Sequence, residues 1–111
     1  CISPGMKTRF RALHDYTAKL PLCAATESEE LAGLTTRQAI ELGVMNGIAF
    51  EIEGYAARMR SQIDDLCVIF TGGDANFFVK RIKNTIFANC NLVFCGLNRI
   101  LEYNASEEHL N

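Results

Sequence analysis

The sequence has no tryptophan, only two prolines, and no apolar run near the roughly 20 residues that a membrane helix needs. No signal peptide pattern is present either. The formal net charge of −2 lacks the basic excess that would indicate nucleic acid or an anionic membrane as a partner. With 49% hydrophobic and 22% charged residues among 111, the chain is predicted to form one globular domain with a real core.

Familiar catalytic and metal-binding spacings are also missing. There is no CxxC pair, and the odd cysteine count predicts reduced thiols in a cytoplasmic protein. The sequence contains neither GxxxxGK[ST] nor GxGxxG. His14 and Asp15 form half of a catalytic or metal pair, but no further ligand is suitably spaced. We therefore predict a locally bonded or solvent-facing His14, and neither a catalytic nor a metal-ligating residue in this chain.

Helices and two short strands alternate along the chain. Apolar spacing predicts helices over 6–18 and 36–61, with an irregular segment between them. The rest is predicted as a strand at 66–71, a helix at 75–84, a strand at 91–96, a helix at 97–104 and a frayed tail at 105–111. This alternation predicts an α/β fold whose two strands are parallel.

The start of the chain and the small number of strands point to a fragment. The first residue is Cys1 and the first methionine is Met6. Two strands alone are too few for a stable sheet. We therefore expect the first strands of the sheet to lie upstream of this chain.

The long helix has a strong start signal and an unusual glycine content. Thr35 followed by Gln38 fits a capping box. Ala39, Gly43 and Gly47 recur every four residues, although each glycine costs about 1 kcal/mol relative to alanine in a helix interior. This stripe of small residues predicts close approach by another backbone, from either the same chain or a second subunit.

Two stretches allow both a structural and a functional interpretation. Thr71-Gly72-Gly73-Asp74 ends a strand, so it either makes a tight turn capped by Asp74 or leaves room beside a nucleotide. Thr36 lies in the first turn of the long helix with a free hydroxyl, so it is either a plain exposed threonine or a contact for a small ligand. Spacing alone leaves both alternatives open.

Four segments together resemble the C-terminal half of type III pantothenate kinases. The likeness runs in order over residues 2–104, and the set is specific although each motif alone is weak. The segments are ISPGMKTRFRALHDYTAKLPL, TTRQAIELGVMNGIAFEIEGY, VIFTGGDA and LVFCGLNRILEYN.

The resemblance implies an activity and a fold. The family phosphorylates pantothenate with ATP in the first step of coenzyme A biosynthesis, using Mg²⁺ and a monovalent cation such as K⁺ or NH₄⁺. Its fold is that of the actin-like ATPases (ribonuclease H-like), with helices flanking a β-sheet. Residues 1–104 would then be part of the C-terminal kinase domain and 105–111 a tail.

The resemblance also implies roles for a few residues. Thr36 matches the threonine that reaches pantothenate across a homodimer formed through the 36–61 helix. Thr71, Gly72, Gly73 and Asp74 match the nucleotide-side turn. The family's phosphate loop, cation ligands and GxDR segment with the catalytic aspartate are absent here, so the chain alone is expected to be inactive.

Two alternatives stay open beside the kinase. One is a helical interaction module without chemistry, built on the glycine stripe. The other is a piece of a different kinase of the same superfamily, such as a sugar kinase. A DxGN-type phosphate loop and a GxDR segment upstream would favour the pantothenate kinase.

Overall fold

The structure, a computed structural model, describes the backbone of residues 1–82, 86–88 and 92–110 and the side chains of residues 1–82 and 97–107. The elements follow the predicted order of helix, long helix, strand, helix, strand, helix. They are α1 (Met6–Asp15), α2 (Thr36–Arg60), β1 (Val68–Phe70), α3 (Ala75–Arg81), β2 (Ile86–Ala88) and α4 (Leu92–Leu110). The two strands are parallel, as predicted, and Ile69 pairs with Phe87.

The first helix ends earlier than predicted because polar groups near its end turn the chain. The backbone amide of Tyr16 makes the last helical hydrogen bond, to Ala12. The Thr17 hydroxyl then donates to the carbonyl of Leu13, and Nδ1 of His14 donates to the carbonyl of Leu20 at 2.8 Å. The predicted local bonding of His14 is thereby confirmed.

The second helix begins where its capping signal places it. Thr35 has an extended backbone, and its hydroxyl accepts from the Gln38 amide at 3.2 Å. The Gln38 side chain accepts from the Leu34 amide at 2.9 Å, one residue earlier than in the usual capping box. The start of this long helix is therefore fixed by local chemistry.

The core lies where α1, α2, α3 and the segment before α2 meet. Its α2 members recur at spacings of three and four, which puts them on one face of the helix. Met45 at its centre is fully buried. The core residues are Met6, Phe10, Cys23, Ile40, Val44, Met45, Ile48, Ala49, Phe78 and Ile82.

The predicted second strand at 91–96 is wrong. Residues 92–96 open α4, while residue 91 lies outside the described residues. A short apolar run cannot be assigned from periodicity alone, and this run continues through Gly96 into a helical pattern. The strand is instead formed by Ile86–Ala88, whose β-branched and aromatic residues suit a strand.

The predicted frayed tail is also wrong, since residues 105–110 continue α4. The Ser106 hydroxyl donates to the carbonyl of Glu102 at 2.9 Å within this helix.

The described part of the chain is mostly helical, with one small parallel sheet. The actin-like architecture and the division at residue 104 stay predictions. Within the described ranges, no helix combines the length and apolarity needed to cross a membrane.

Candidate functional site

The TGGD turn joins β1 to α3 and depends on its first glycine. Gly72 has a φ of 101°, a conformation that residues with a side chain rarely adopt. Its carbonyl accepts from the Ala75 amide at 3.3 Å, which closes the turn. Asp74 occupies the predicted N-cap position, but its side chain makes no capping hydrogen bond. The structural interpretation of this stretch therefore holds for Gly72 and fails for the Asp74 carboxylate.

A cavity of about 460 Å³ opens beside this turn. It is bordered by all four residues of the turn and by Gly5, which precedes α1. An added Cβ at Gly5 or Gly73 would meet no atom within 4 Å, so the missing side chains leave open space. The cavity floor is apolar and consists of Met6, Ile48, Ile52, Ile69, Phe70, Ala75 and Phe78.

Arg9 holds the turn that faces the TGGD residues. Its Nε donates to the carbonyl of Pro4 at 2.9 Å, and its Nη2 donates to the Ser3 hydroxyl at 3.0 Å. The same Nη2 lies 2.8 Å from Oε2 of Glu51 on α2. The Arg9 side chain is only 22% exposed. Arg9 therefore fixes Gly5 relative to α2.

The Glu51 carboxyl is shifted toward its charged form. A hydrogen bond with the Ser3 hydroxyl, reinforced by the Arg9 guanidinium, holds the pKa of Glu51 below its ordinary value of 4.5. A carboxyl whose pKa is lowered by folding stabilises the folded state above its unfolded pKa. That contribution is lost as the pH falls through the lower folded pKa.

Glu51→Gln should therefore destabilise the protein near neutral pH and have progressively less effect below pH 4.5. Thermal unfolding of wild type and variant across this range measures the effect, and Glu53→Gln on the same helix serves as a control. An equal difference between wild type and variant at about pH 7 and about pH 3 would contradict the pairing.

Thr36 lines a second cavity, a groove of about 640 Å³ between α1 and the start of α2. Thr36 is exposed and sits in the first turn, next to the confirmed Thr35 cap. The groove is otherwise mainly apolar, and Arg9 reaches it from α1. Its remaining lining residues are Ala12, Leu13, Leu20, Ala39, Ile40, Gly43 and Val44.

The glycine stripe is only partly covered within the described residues. An added Cβ at Gly43 would meet nothing within 4 Å, and one at Gly47 would lie 3.8 Å from Nη1 of Arg9. The missing side chain at Gly47 thus makes room for the Arg9 side chain and not for the backbone of another helix. Gly43 and Ala39 are exposed and border the groove. Among the described residues, no second helix of the chain covers this part of the stripe, although such a helix was one of the two predicted partners.

The predicted site residues form two separate groups. Thr71, Gly72, Gly73 and Asp74 border the first cavity, whereas Thr36 borders the second. Among the side chains that the structure describes, no three His, Cys, Asp or Glu residues cluster as metal ligands would. Sequence reasoning missed four further residues, because no motif marks them and the partners of three of them are distant in sequence. They are Gly33, Asn46, Glu51 and Arg81.

The type III pantothenate kinase family model matches residues 1–58. A type III pantothenate kinase of Flavobacterium psychrophilum is 50% identical over 102 residues, which is 92% of this chain and 42% of that protein. Those of Cytophaga hutchinsonii and Bacteroides fragilis are each 47% identical over 103 residues, 93% of this chain and 44% and 42% of theirs. The chain thus spans less than half the length of these curated relatives.

Proposed function

The chain belongs to the type III pantothenate kinase family, and we propose on that premise that its full-length protein phosphorylates pantothenate with ATP. The observation that carries the proposal is the match over residues 1–58, which includes Thr36 and its helix cap. The product would be 4′-phosphopantothenate, the first intermediate on the way to coenzyme A. The activity would make the protein a phosphotransferase acting on an alcohol.

The two cavities suit the two substrates of this reaction. The glycine-bordered cavity beside Thr71–Asp74 has open space and an apolar floor, which fits a nucleotide approaching the backbone closely. The Thr36 groove is apolar with a hydroxyl and a guanidinium at its wall, which fits a small branched acid carrying polar groups. ATP supplies the phosphoryl group, and Thr36 contributes a hydrogen bond that orients the acceptor.

The remaining family properties complete the proposal. We include Mg²⁺, a monovalent cation such as K⁺ or NH₄⁺, a cytoplasmic location and an actin-like fold on the basis of family membership. The catalytic aspartate and the cation ligands are proposed to come from outside this chain's described residues.

The direct test is substrate specificity of the full-length protein. Phosphate transfer from ATP is measured with pantothenate and, separately, with a hexose as the acceptor. Turnover of pantothenate is the expected result. Turnover with the hexose alone would identify another kinase of the superfamily, and no turnover with either would favour an interaction module.

Thr36→Ala should raise the KM for pantothenate several-fold and leave the KM for ATP nearly unchanged. The variant loses one neutral hydrogen bond, which is worth about 0.5 to 1.5 kcal/mol. Steady-state kinetics with each substrate varied in turn measures both constants. Thr35→Ser, which keeps the hydroxyl of the neighbouring helix cap, is the matched control. Unchanged pantothenate kinetics in Thr36→Ala would remove this residue from the site.

We also propose a homodimer through the 36–60 helix, because Ala39 and Gly43 leave an exposed, smooth stripe on it. Gly43→Leu should weaken the dimer by about tenfold, since a large side chain overpacks a close contact. Sedimentation equilibrium measures the change. Lys80→Leu, at an exposed position of α3 away from the stripe, is the control. Equal dimer affinity in both variants would place the interface elsewhere.

A further inference from the structure

The last residue of α3 holds the segment that leads into α2. Arg81 donates Nη2 to the carbonyl oxygens of Thr26, at 2.8 Å, and Ser28. Its Nη1 donates to Oδ1 of Asn46 on α2 at 3.0 Å. The Arg81 side chain is partly buried, and hydrogen bonds from a charged donor are stronger than neutral ones. One guanidinium therefore joins α3, α2 and the segment at 26–28.

Asn46 extends this arrangement by one further bond. Its Nδ2 donates to the carbonyl of Glu30 at 2.8 Å, while its Oδ1 accepts from Arg81. The two side chains, which we call the Arg81–Asn46 clasp, thus hold the carbonyls of residues 26, 28 and 30. Alternate carbonyls can be held from one side only when the backbone is extended. The clasp therefore fixes an extended stretch that belongs to no regular sheet.

After residue 30 the chain bends at Leu31 and Ala32 and continues along α2 to the Thr36 groove. Residues 26, 28, 30, 32 and 34 all border one cleft, whose other side is formed by Gln38, Glu41 and Leu42 of α2. Gly33 packs against the backbone of Gln38 and Ala39. The Leu34 amide then bonds to the Gln38 side chain, and Thr35 caps the helix. These contacts connect residues 26 and 28 to the turn that contains Thr36.

We propose that Arg81 is a positioning residue for the acceptor groove, acting on Thr36 through the clasped segment. The inference rests on the proposed function, because it assigns the acceptor to that groove. Arg81 does not line the groove, and its described hydrogen bonds go to Thr26, Ser28 and Asn46 and not to Thr36. Without the guanidinium, three oxygens lose their donor and the segment before α2 gains freedom. Thr36 then spends less time where it can bind the acceptor.

The test is Arg81→Met in the full-length protein, which keeps much of the side-chain volume and removes the donors. Amide hydrogen exchange of Leu34 and Gln38 should accelerate by about tenfold, because both amides bond at the start of α2. The pantothenate KM should rise by about tenfold, while kcat and the ATP KM stay within about twofold. A purely structural role would lower the fraction of active protein without separating the two KM values.

Lys80→Met is the matched control, since it removes the same charge from the same helix end. Among the described side chains, Lys80 pairs with Glu27 in an exposed contact of 3.9 Å, and its loss should leave exchange and both KM values unchanged. Asn46→Ala should reproduce the Arg81→Met effects. The double variant should add little to either single one, because both residues act through one clasp.

The outcomes separate this proposal from the proposed function. Wild-type protein that fails to phosphorylate pantothenate contradicts the proposed function and, with it, the acceptor role of the clasp. If wild type is active, unchanged exchange at Gln38 in Arg81→Met overturns the clasp. Faster exchange with an unchanged pantothenate KM overturns the positioning role. Faster exchange together with a raised pantothenate KM and an unchanged ATP KM supports the positioning role.

Discussion

Gly33→Ala should lower the free energy of unfolding by about 2 to 4 kcal/mol. A Cβ on Gly33 would lie 2.5 Å from the backbone nitrogen of Ala39 and 2.6 Å from the carbonyl carbon of Gln38. Both atoms belong to the backbone of the first turns of α2, so no side-chain rotation relieves the overlap. Either the helix start or the extended segment must move, and the Thr35 cap joins the two.

Urea unfolding of the full-length protein measures this loss. Gly54→Ala is the matched control, because Gly54 is exposed within α2 and an added Cβ there meets nothing within 4 Å. That variant should gain about 0.5 to 1 kcal/mol from helix propensity. Opposite signs for the same chemical change would locate the effect in the contact at Gly33. A stability loss below about 0.5 kcal/mol in Gly33→Ala would contradict the close approach.

Gly72→Ala should destabilise the protein by about 1 to 3 kcal/mol, whereas Gly73→Ala should leave stability nearly unchanged. Gly72 has a φ of 101°, so any side chain there strains the turn even though nothing lies within 4 Å. Gly73 has a conventional φ and equally open surroundings. The two neighbours therefore separate the cost of backbone conformation from the cost of lost space.

Thermal unfolding and nucleotide titration of both variants complete the comparison. In Gly73→Ala the methyl group would enter the cavity beside the turn, so nucleotide affinity should fall although the fold is kept. In Gly72→Ala the main change should be the loss of stability. Equal stability of both variants would contradict the assigned turn geometry. Unchanged nucleotide affinity in Gly73→Ala would move the nucleotide away from this turn.

Elements with a local chemical signal could be predicted from the sequence. The start of α2 depends on Thr35 and Gln38, which are three residues apart, and the structure confirms it. The parallel pairing followed from the alternation of elements. The second strand was misplaced because a short apolar run fits both a strand and a helix, and its surroundings decide. Local patterns therefore predicted the order of the elements correctly but not the position of β2.

The candidate site was predictable only in part for a similar reason. Thr36 and the TGGD residues belong to recognisable motifs, so they could be singled out. The partners of Arg81 lie 35, 53 and 55 residues away in sequence, and no spacing rule connects them. The Arg9–Glu51 pair is 42 residues apart and was equally hidden. Long-range polar contacts of this kind become visible only when the chain is folded.

The segment between α1 and α2 consists of two parts with opposite tolerance of extra length. Residues 16–19 are exposed, and the bonds around them are local to the end of α1. Residues 26–34 are fixed by the clasp and by Gly33. Doubling a flexible loop adds only about 0.6 kcal/mol of closure entropy, whereas a single inserted residue in an extended segment shifts every later register. An epitope tag or a fluorescent label can therefore be inserted within residues 16–19. The same insertion within residues 26–34 would disrupt the contacts that fix the start of α2.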